Sequence, residues 1–241
     1  MHIPDGFLTG QAAAAGAVVG AAGLALCVRR AGREGRERDL PVAGLAAAFF
    51  IVGDAPMFPL SVGTDAHLLG GTLAVALLGP WLGAITIAVV AAIQALAFGD
   101  GGITTYGLNV VNLALVPAFV GYPLIMLLRR RLPVPLACGI AAFVSVMCGA
   151  SLFVLDYALG AAHQIDVATV ASTTLGAYAV VGLVEGALTA MIVRSLLGVR
   201  PGLVRVRRPS PAGGRRVSGD RSRAAGWSPS HQDAGLDAPR R

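Results

Sequence analysis

Seven apolar runs separated by short polar breaks leave this chain little choice of architecture. They lie at about residues 7–28, 40–60, 67–78, 81–98, 104–128, 134–159 and 167–197. An apolar run of roughly 20 residues is the length that carries a helix across a bilayer's hydrocarbon core. A segment in lipid must satisfy its own backbone, so the pattern reads as an all-α membrane protein with seven transmembrane helices. Composition agrees: 55% of residues are hydrophobic and 13% charged, against about 25% charged in a soluble domain. Two runs are irregular. The second carries Asp54, Pro56 and Pro59 near its end, and the third is too short to cross upright as a regular helix.

Charge tests the count. The chain has no lysine, so its net charge of +6 is carried by arginine. Arg29, Arg30, Arg33, Arg36 and Arg38 follow the first run, Arg129, Arg130 and Arg131 follow the fifth, and Arg194 and Arg200 open the tail. The breaks near Thr64-Asp65, 99–102 and 163–166 hold no arginine. Seven crossings put every arginine cluster on one side. The positive-inside rule then sets the N-terminus outside and the C-terminus in the cytoplasm. The clusters flank apolar runs and lack interleaved aromatics, which argues against nucleic acid as a partner. Residues 1–197 read as the membrane domain. Residues 198–241, rich in Arg, Pro, Ser and Gly, read as a disordered cytoplasmic tail able to touch anionic lipid.

Few groups could carry chemistry. Cys27, Cys138 and Cys148 sit in apolar runs without CxxC spacing, as packing residues do. There is no P-loop, dinucleotide fingerprint, HExxH or GxSxG, so the chain shows no sign of hydrolysing ATP itself. The spacings Ala43–Ala47 and Gly44–Ala48 give a smooth helix face, fit for packing or for a partner; Gly16 and Gly20 favour close helix contact.

The opening Met1-His2 is different. An α-amine, the residue-2 amide nitrogen and the His2 imidazole can close on one metal ion through a five-membered and a six-membered chelate ring. One position stays open, and His67, on the same side in this topology, offers a fourth nitrogen. Four such nitrogens suit square-planar Ni(II) or Cu(II), with cobalt possible, and reject hard cations. Cleavage would destroy such a site, and no positive n-region of a signal peptide is seen. Polar groups able to orient the ligands are Asp5, Asp65, Asn109 and Asn112. Asn109, Asn112 and Gln94 are costly in lipid and should point into the bundle. Glu185 is the most expensive group of the seventh run, with no partner obvious from sequence.

Four stretches resemble one family: MHIPDGFL at 1–8, GTDAHLLGGTLAVALLGPW at 63–81, IQALAFGDGGITTYGLNVVN at 93–112 and VEGALTA at 184–190. They look like the CbiM/NikM family, the substrate-binding S-components of energy-coupling factor transporters for cobalt and nickel. The resemblance covers about residues 1–197. It implies a seven-helix S-component bundle that is not itself an enzyme. It also implies a metal held by the amine of Met1, the amide and imidazole of His2, and His67, supported by the region of Asp100, Asn109 and Asn112. The ion, Co2+ or Ni2+, would be transported substrate rather than cofactor. The implied partners are a membrane-embedded coupling component, cytoplasmic ATPase subunits and a small accessory membrane protein. Asp65 departs from the small hydroxyl residue common there. Two other readings compete: an intramembrane metal-dependent enzyme using His67, Asp65 and Glu185, and a non-transporting membrane scaffold.

Overall fold

The computed structural model describes residues 2–34, 39–60, 64–163 and 165–207. Within them, helices α1 (Gly10–Glu34), α4 (Pro80–Phe98), α5 (Tyr106–Leu128), α6 (Val134–Gly160) and α7 (Val167–Val199) are long and apolar enough to cross a membrane. Two more helices are shorter: α2 (Asp39–Gly53) and α3 (Gly71–Leu78). The expected second run stops at Gly53, where Asp54, Pro56 and Pro59 lead into a small antiparallel hairpin of β1 (Phe58–Leu60) and β2 (Thr64–Ala66). Proline has no N–H to give a helix and disfavours helical geometry in the residue before it. Apart from α1, which runs on to Glu34, six residues past its expected end, the helices otherwise match the expected runs to within about a turn, and the chain is a multi-pass membrane protein.

The short third run becomes the centre of the bundle. Seven of the eight α3 residues are buried, packed against α4, α5 and α6. A helix walled off by others need not reach both faces of a bilayer. It ends at Gly79, at φ 84°, a backbone region glycine enters freely, and Pro80 then starts α4. Pro80 has no N–H to offer the carbonyl of Ala76, four residues back. That carbonyl accepts instead from the amides of Arg205 (3.1 Å) and Val206 (3.3 Å). Residues 201–207 thus form a strap after α7, with Val204 and Val206 fully buried. The expected boundary at residue 197 falls inside α7; the part of the expected tail from 208 to 241 lies outside the described residues.

α1 meets α5 closely. A Cβ on Gly20 would come 2.4 Å from the Gly107 carbonyl oxygen, and one on Gly107 would come 2.4 Å from the Ala17 Cα. These are backbone contacts that cannot yield, so the small residues of α1 do set that interface.

The arginine-bearing segments share one end of the bundle. Arg129 donates to the Val206 carbonyl at 2.8 Å, Arg205 pairs with Asp39 at 3.1 Å and Glu34 at 3.6 Å, and Arg30 lies over the Trp81 ring. The N-terminal segment meets the arginine-free loops: Leu8 pairs with Ala161, and the Thr9 amide donates to Gly160 at 2.7 Å.

Candidate metal site

Residues 2–9 form a hook fixed through its backbone and through the side chains of Asp5 and Phe7. The Asn109 side chain, inward on α5 as expected, accepts from the Ile3 amide at 2.7 Å and donates to the Ile3 carbonyl at 3.2 Å. The Thr105 hydroxyl at 2.5 Å and the Gly102 amide at 2.8 Å donate to that same carbonyl. The Thr64 hydroxyl donates to the His2 carbonyl at 2.8 Å. Asp5 accepts from the amides of Ile103 (3.1 Å) and Thr104 (2.8 Å) and from the Thr104 hydroxyl, which holds its carboxyl below the usual range. Phe7 stacks on Phe153 and Tyr157. Ile3, Phe7 and Leu8 are all buried.

This anchoring brings His2 beside His67, their rings 5.0 Å apart. Both are buried, 4% and 2% exposed. The Nε2 atoms of both stand 3.9 Å from the same Asp100 carboxylate oxygen. That exceeds hydrogen-bond length, and the imidazoles are neutral, so neither contact is an ion pair. Burial, the largest cause, holds His67 down to about 3 and His2 well below its ordinary value, the neighbouring His67 adding to the effect on His2. Burial raises Asp100. His67 Nδ1 donates to the Leu68 carbonyl at 2.6 Å. That bond fixes the tautomer and leaves Nε2 as a lone-pair donor.

Two nitrogens then stand out. His2 Nδ1 and His67 Nε2 are buried and have no hydrogen-bond partner. A buried polar atom left so costs about 1–3 kcal/mol, and native proteins rarely keep two such atoms side by side without a use for them. A six-membered ring through the residue-2 amide closes on Nδ1, so the orphan of His2 is the nitrogen the chelate requires. Ligand atoms of His2, His67 and Asp100 all lie within 4.8 Å of one another. Two donors about 2 Å from one ion stand at most about 4 Å apart, so this spacing is close to that of a metal site. Gly101, at φ 92°, makes room: a Cβ there would sit 2.6 Å from His2 Nδ1.

Met1 lies outside the described residues. Asp65 sits on β2, where its carbonyl accepts from the Tyr178 hydroxyl at 2.9 Å. Asn112, also inward, donates to Asp156 of α6 at 3.0 Å. Glu185 has a partner after all, accepting from the Leu69 amide at 2.8 Å. Thr64, Thr105 and Tyr178 went unnoticed in the sequence; only the density of polar residues around 102–109 hints at a loop built to hold something. A cavity of about 10 Å³ lined by His2, His67, Asp54 and Gln94 adjoins the imidazoles. Roomier cavities of about 430 and 540 Å³ lie at the arginine-bearing end, around Leu78 and Arg205, where no group of metal donors gathers among the described residues.

A polytopic helical membrane protein with a small, buried, nitrogen-rich pocket is the class that fold and site define. Among known families, the profile of the cobalt uptake substrate-specific transmembrane region, CbiM, matches residues 2–203. The chain belongs to the CbiM family. A protein of Haloquadratum walsbyi is 36% identical over 204 residues, 85% of this chain and 93% of its own. The cobalt transport protein CbiM of Geobacter sulfurreducens is 33% identical over 220 residues, 85% of this chain and 61% of its own. The crystal structure of a truncated transition metal transporter superposes with a TM-score of 0.76 at 30% identity, covering 82% of this chain and 99% of that one.

Proposed function

We propose that this chain is the substrate-specific membrane subunit of an importer for Co2+ or Ni2+. The observation that carries the reading is the pair of buried, unpartnered nitrogens, His2 Nδ1 and His67 Nε2. Met1 would add its amine and His2 its amide to close a four-nitrogen site. Asp100 and Asn109 would orient that site, the first beside the rings and the second through Ile3; Asp65 and Asn112 would act from further out. Binding would release protons, since amine and amide must be free of them.

The ion would be captured outside. Seven crossings, with α2 and α3 counted among them, put the N-terminus outside and the arginine-bearing end in the cytoplasm, in line with the positive-inside rule. ATP would be hydrolysed by cytoplasmic partner subunits, acting through a membrane-embedded coupling component and assisted by a small accessory membrane protein. The Gly44–Ala48 side of α2 is exposed and smooth enough to receive such a partner, whereas Ala43 is buried within the bundle. The enzyme reading gains no support, because Glu185 is engaged by the Leu69 amide rather than turned to His67.

The test compares protein carrying an unblocked Met1 with protein extended by a few residues ahead of it. Ion content and Ni2+ against Co2+ competition are measured on both. The unblocked form is expected to bind and the extended form to lose binding while keeping its melting profile. Equal binding by the two would sink the chelate.

A further inference from the structure

The segment that carries His67 is held on both sides by one helix. On its N-terminal side the Tyr178 hydroxyl donates to the Asp65 carbonyl at 2.9 Å. On its C-terminal side the Glu185 carboxylate accepts from the Leu69 amide at 2.8 Å and also reaches the Gly70 amide. Tyr178 and Glu185 lie on α7, in its buried stripe with Thr174, Gly182 and Thr189. Seven residues of helix separate them, about 10 Å along the axis. The five residues from Asp65 to Leu69, four Cα-to-Cα steps, can extend to at most about 14 Å. The two anchors therefore leave the His67 backbone little slack.

The second anchor also completes a helix. Gly70, at φ 65°, is the residue before α3 and gives that helix no side-chain cap. The first amides of a helix carry partial positive charge and need acceptors. Glu185, brought from another helix, accepts at that turn. The same carboxylate thus fixes the start of α3 and the residues just after His67, whose own Nδ1 is tied to Leu68 within the segment.

We propose that Tyr178 and Glu185 are positioning residues for the metal site. Acting as a two-point clamp from α7, they set where His67 Nε2 stands relative to His2. The proposal rests on the reading of His67 as a ligand. It predicts that the coordination geometry of the ion, and not the fold alone, depends on two side chains that never touch the ion.

The test uses the full chain with an unblocked Met1, purified in detergent, in wild-type form and as Tyr178→Phe, Glu185→Gln, Glu185→Ala and His67→Ala. Ni2+ and Co2+ affinities are measured together with the visible absorption of the bound ion. Losing a group that orients a ligand typically weakens metal binding about 10- to 100-fold. Glu185→Ala and Tyr178→Phe are expected in that range, each with a shifted absorption band. Glu185→Gln should recover much of the loss, since its amide oxygen still accepts from Leu69. Should Glu185→Ala fail to fold, Tyr178→Phe still decides the matter. Wild-type affinity in Tyr178→Phe or in a folded Glu185→Ala, or weaker binding with an unchanged band, overturns the clamp. If Tyr178→Phe and Glu185→Ala bind normally while His67→Ala does not, the clamp alone falls. If the wild type takes up no ion, the metal-site reading falls first.

Discussion

The hook at residues 2–9 and the strap at 201–207, which opens on a single 3-10 turn at Pro201–Leu203, both dock on the bundle through many backbone bonds, yet they finish their hydrogen bonding differently. The strap closes its accounts. Its Arg205 and Val206 amides fill the carbonyl that Pro80 leaves open, its carbonyls at 206 and 207 accept from Arg129, and its Arg205 side chain pairs with Glu34 and Asp39 near solvent. The hook is as tightly bonded through Ile3, Asp5 and Thr9, but it buries the His2 ring beside that of His67 and leaves His2 Nδ1, like His67 Nε2, unsatisfied. A segment that only stabilises leaves nothing over. A segment that stabilises and still holds unmet donors is what the proposed metal site would leave in the metal-free protein.

The largest expected effect breaks the hook's side of that contrast. His2→Ala or His67→Ala removes an orphan nitrogen. Ion affinity should fall by more than the roughly 100-fold that loss of a mere orienting group produces. The metal-free protein should lose less stability than truncating a well-satisfied buried side chain costs, because deleting an unsatisfied group offsets part of the cavity left by the ring. Calorimetric titration and thermal melts of the same preparations check both halves. A large drop in metal-free stability would mean that the imidazoles serve packing.

Asn109 comes next. Asn109→Ala strips the Ile3 amide of its partner and the Ile3 carbonyl of one of three donors. The buried amide alone should cost about 1–3 kcal/mol. Both melting temperature and ion affinity should fall, since the hook that carries His2 is loosened. The parallel fall separates this residue from the two histidines.

What could be read in advance divides along the same line. His2 and His67 stood out in the sequence because few other nitrogens in this chain could bind a metal, and the fold sets their rings side by side; Asn109 was legible as inward because amides are costly in lipid. Its partner was not: a bond from a side chain at 109 to the backbone at residue 3 depends on how α5 packs beside the hook, and no local pattern encodes that. Asn112, three residues on, looked equivalent but finds Asp156, because the turn between them shifts from α-helical to π-helical at Val111. The strap was hidden for another reason. Its composition reads as tail, and only the proline at position 80, remote in sequence, creates the acceptor it fills.

A smaller effect concerns pH. The unfolded chain takes a proton on each imidazole near pH 6.5. In the fold, burial keeps His67 neutral down to about 3 and His2 well below its ordinary value. Between those limits the unfolded state binds more protons, so folding stability is full above about pH 6.5 and is lost as pH falls below it. Buried Asp100, raised, works in the opposite sense, so the histidine share is read as a difference: from about pH 7.5 to 5 the metal-free wild type should lose melting temperature relative to His67→Ala. A decline of equal slope in that variant would assign it to other groups.

The smallest effect belongs to the strap's charged contact. Arg205 is 33% exposed and its partners Glu34 and Asp39 are 50% and 25% exposed. Ion pairs so near water contribute at most about 1 kcal/mol and weaken with salt. Arg205→Ala should therefore lower the melting temperature slightly, less so in high salt, and leave Ni2+ and Co2+ affinity unchanged. The strap's hold lies in the amides of Arg205 and Val206 on Ala76 and in the buried Val204 and Val206, which this substitution spares. A clear loss of ion affinity in Arg205→Ala would mean that the strap communicates with the hook, and the division between a closed segment and an open one would have to be redrawn.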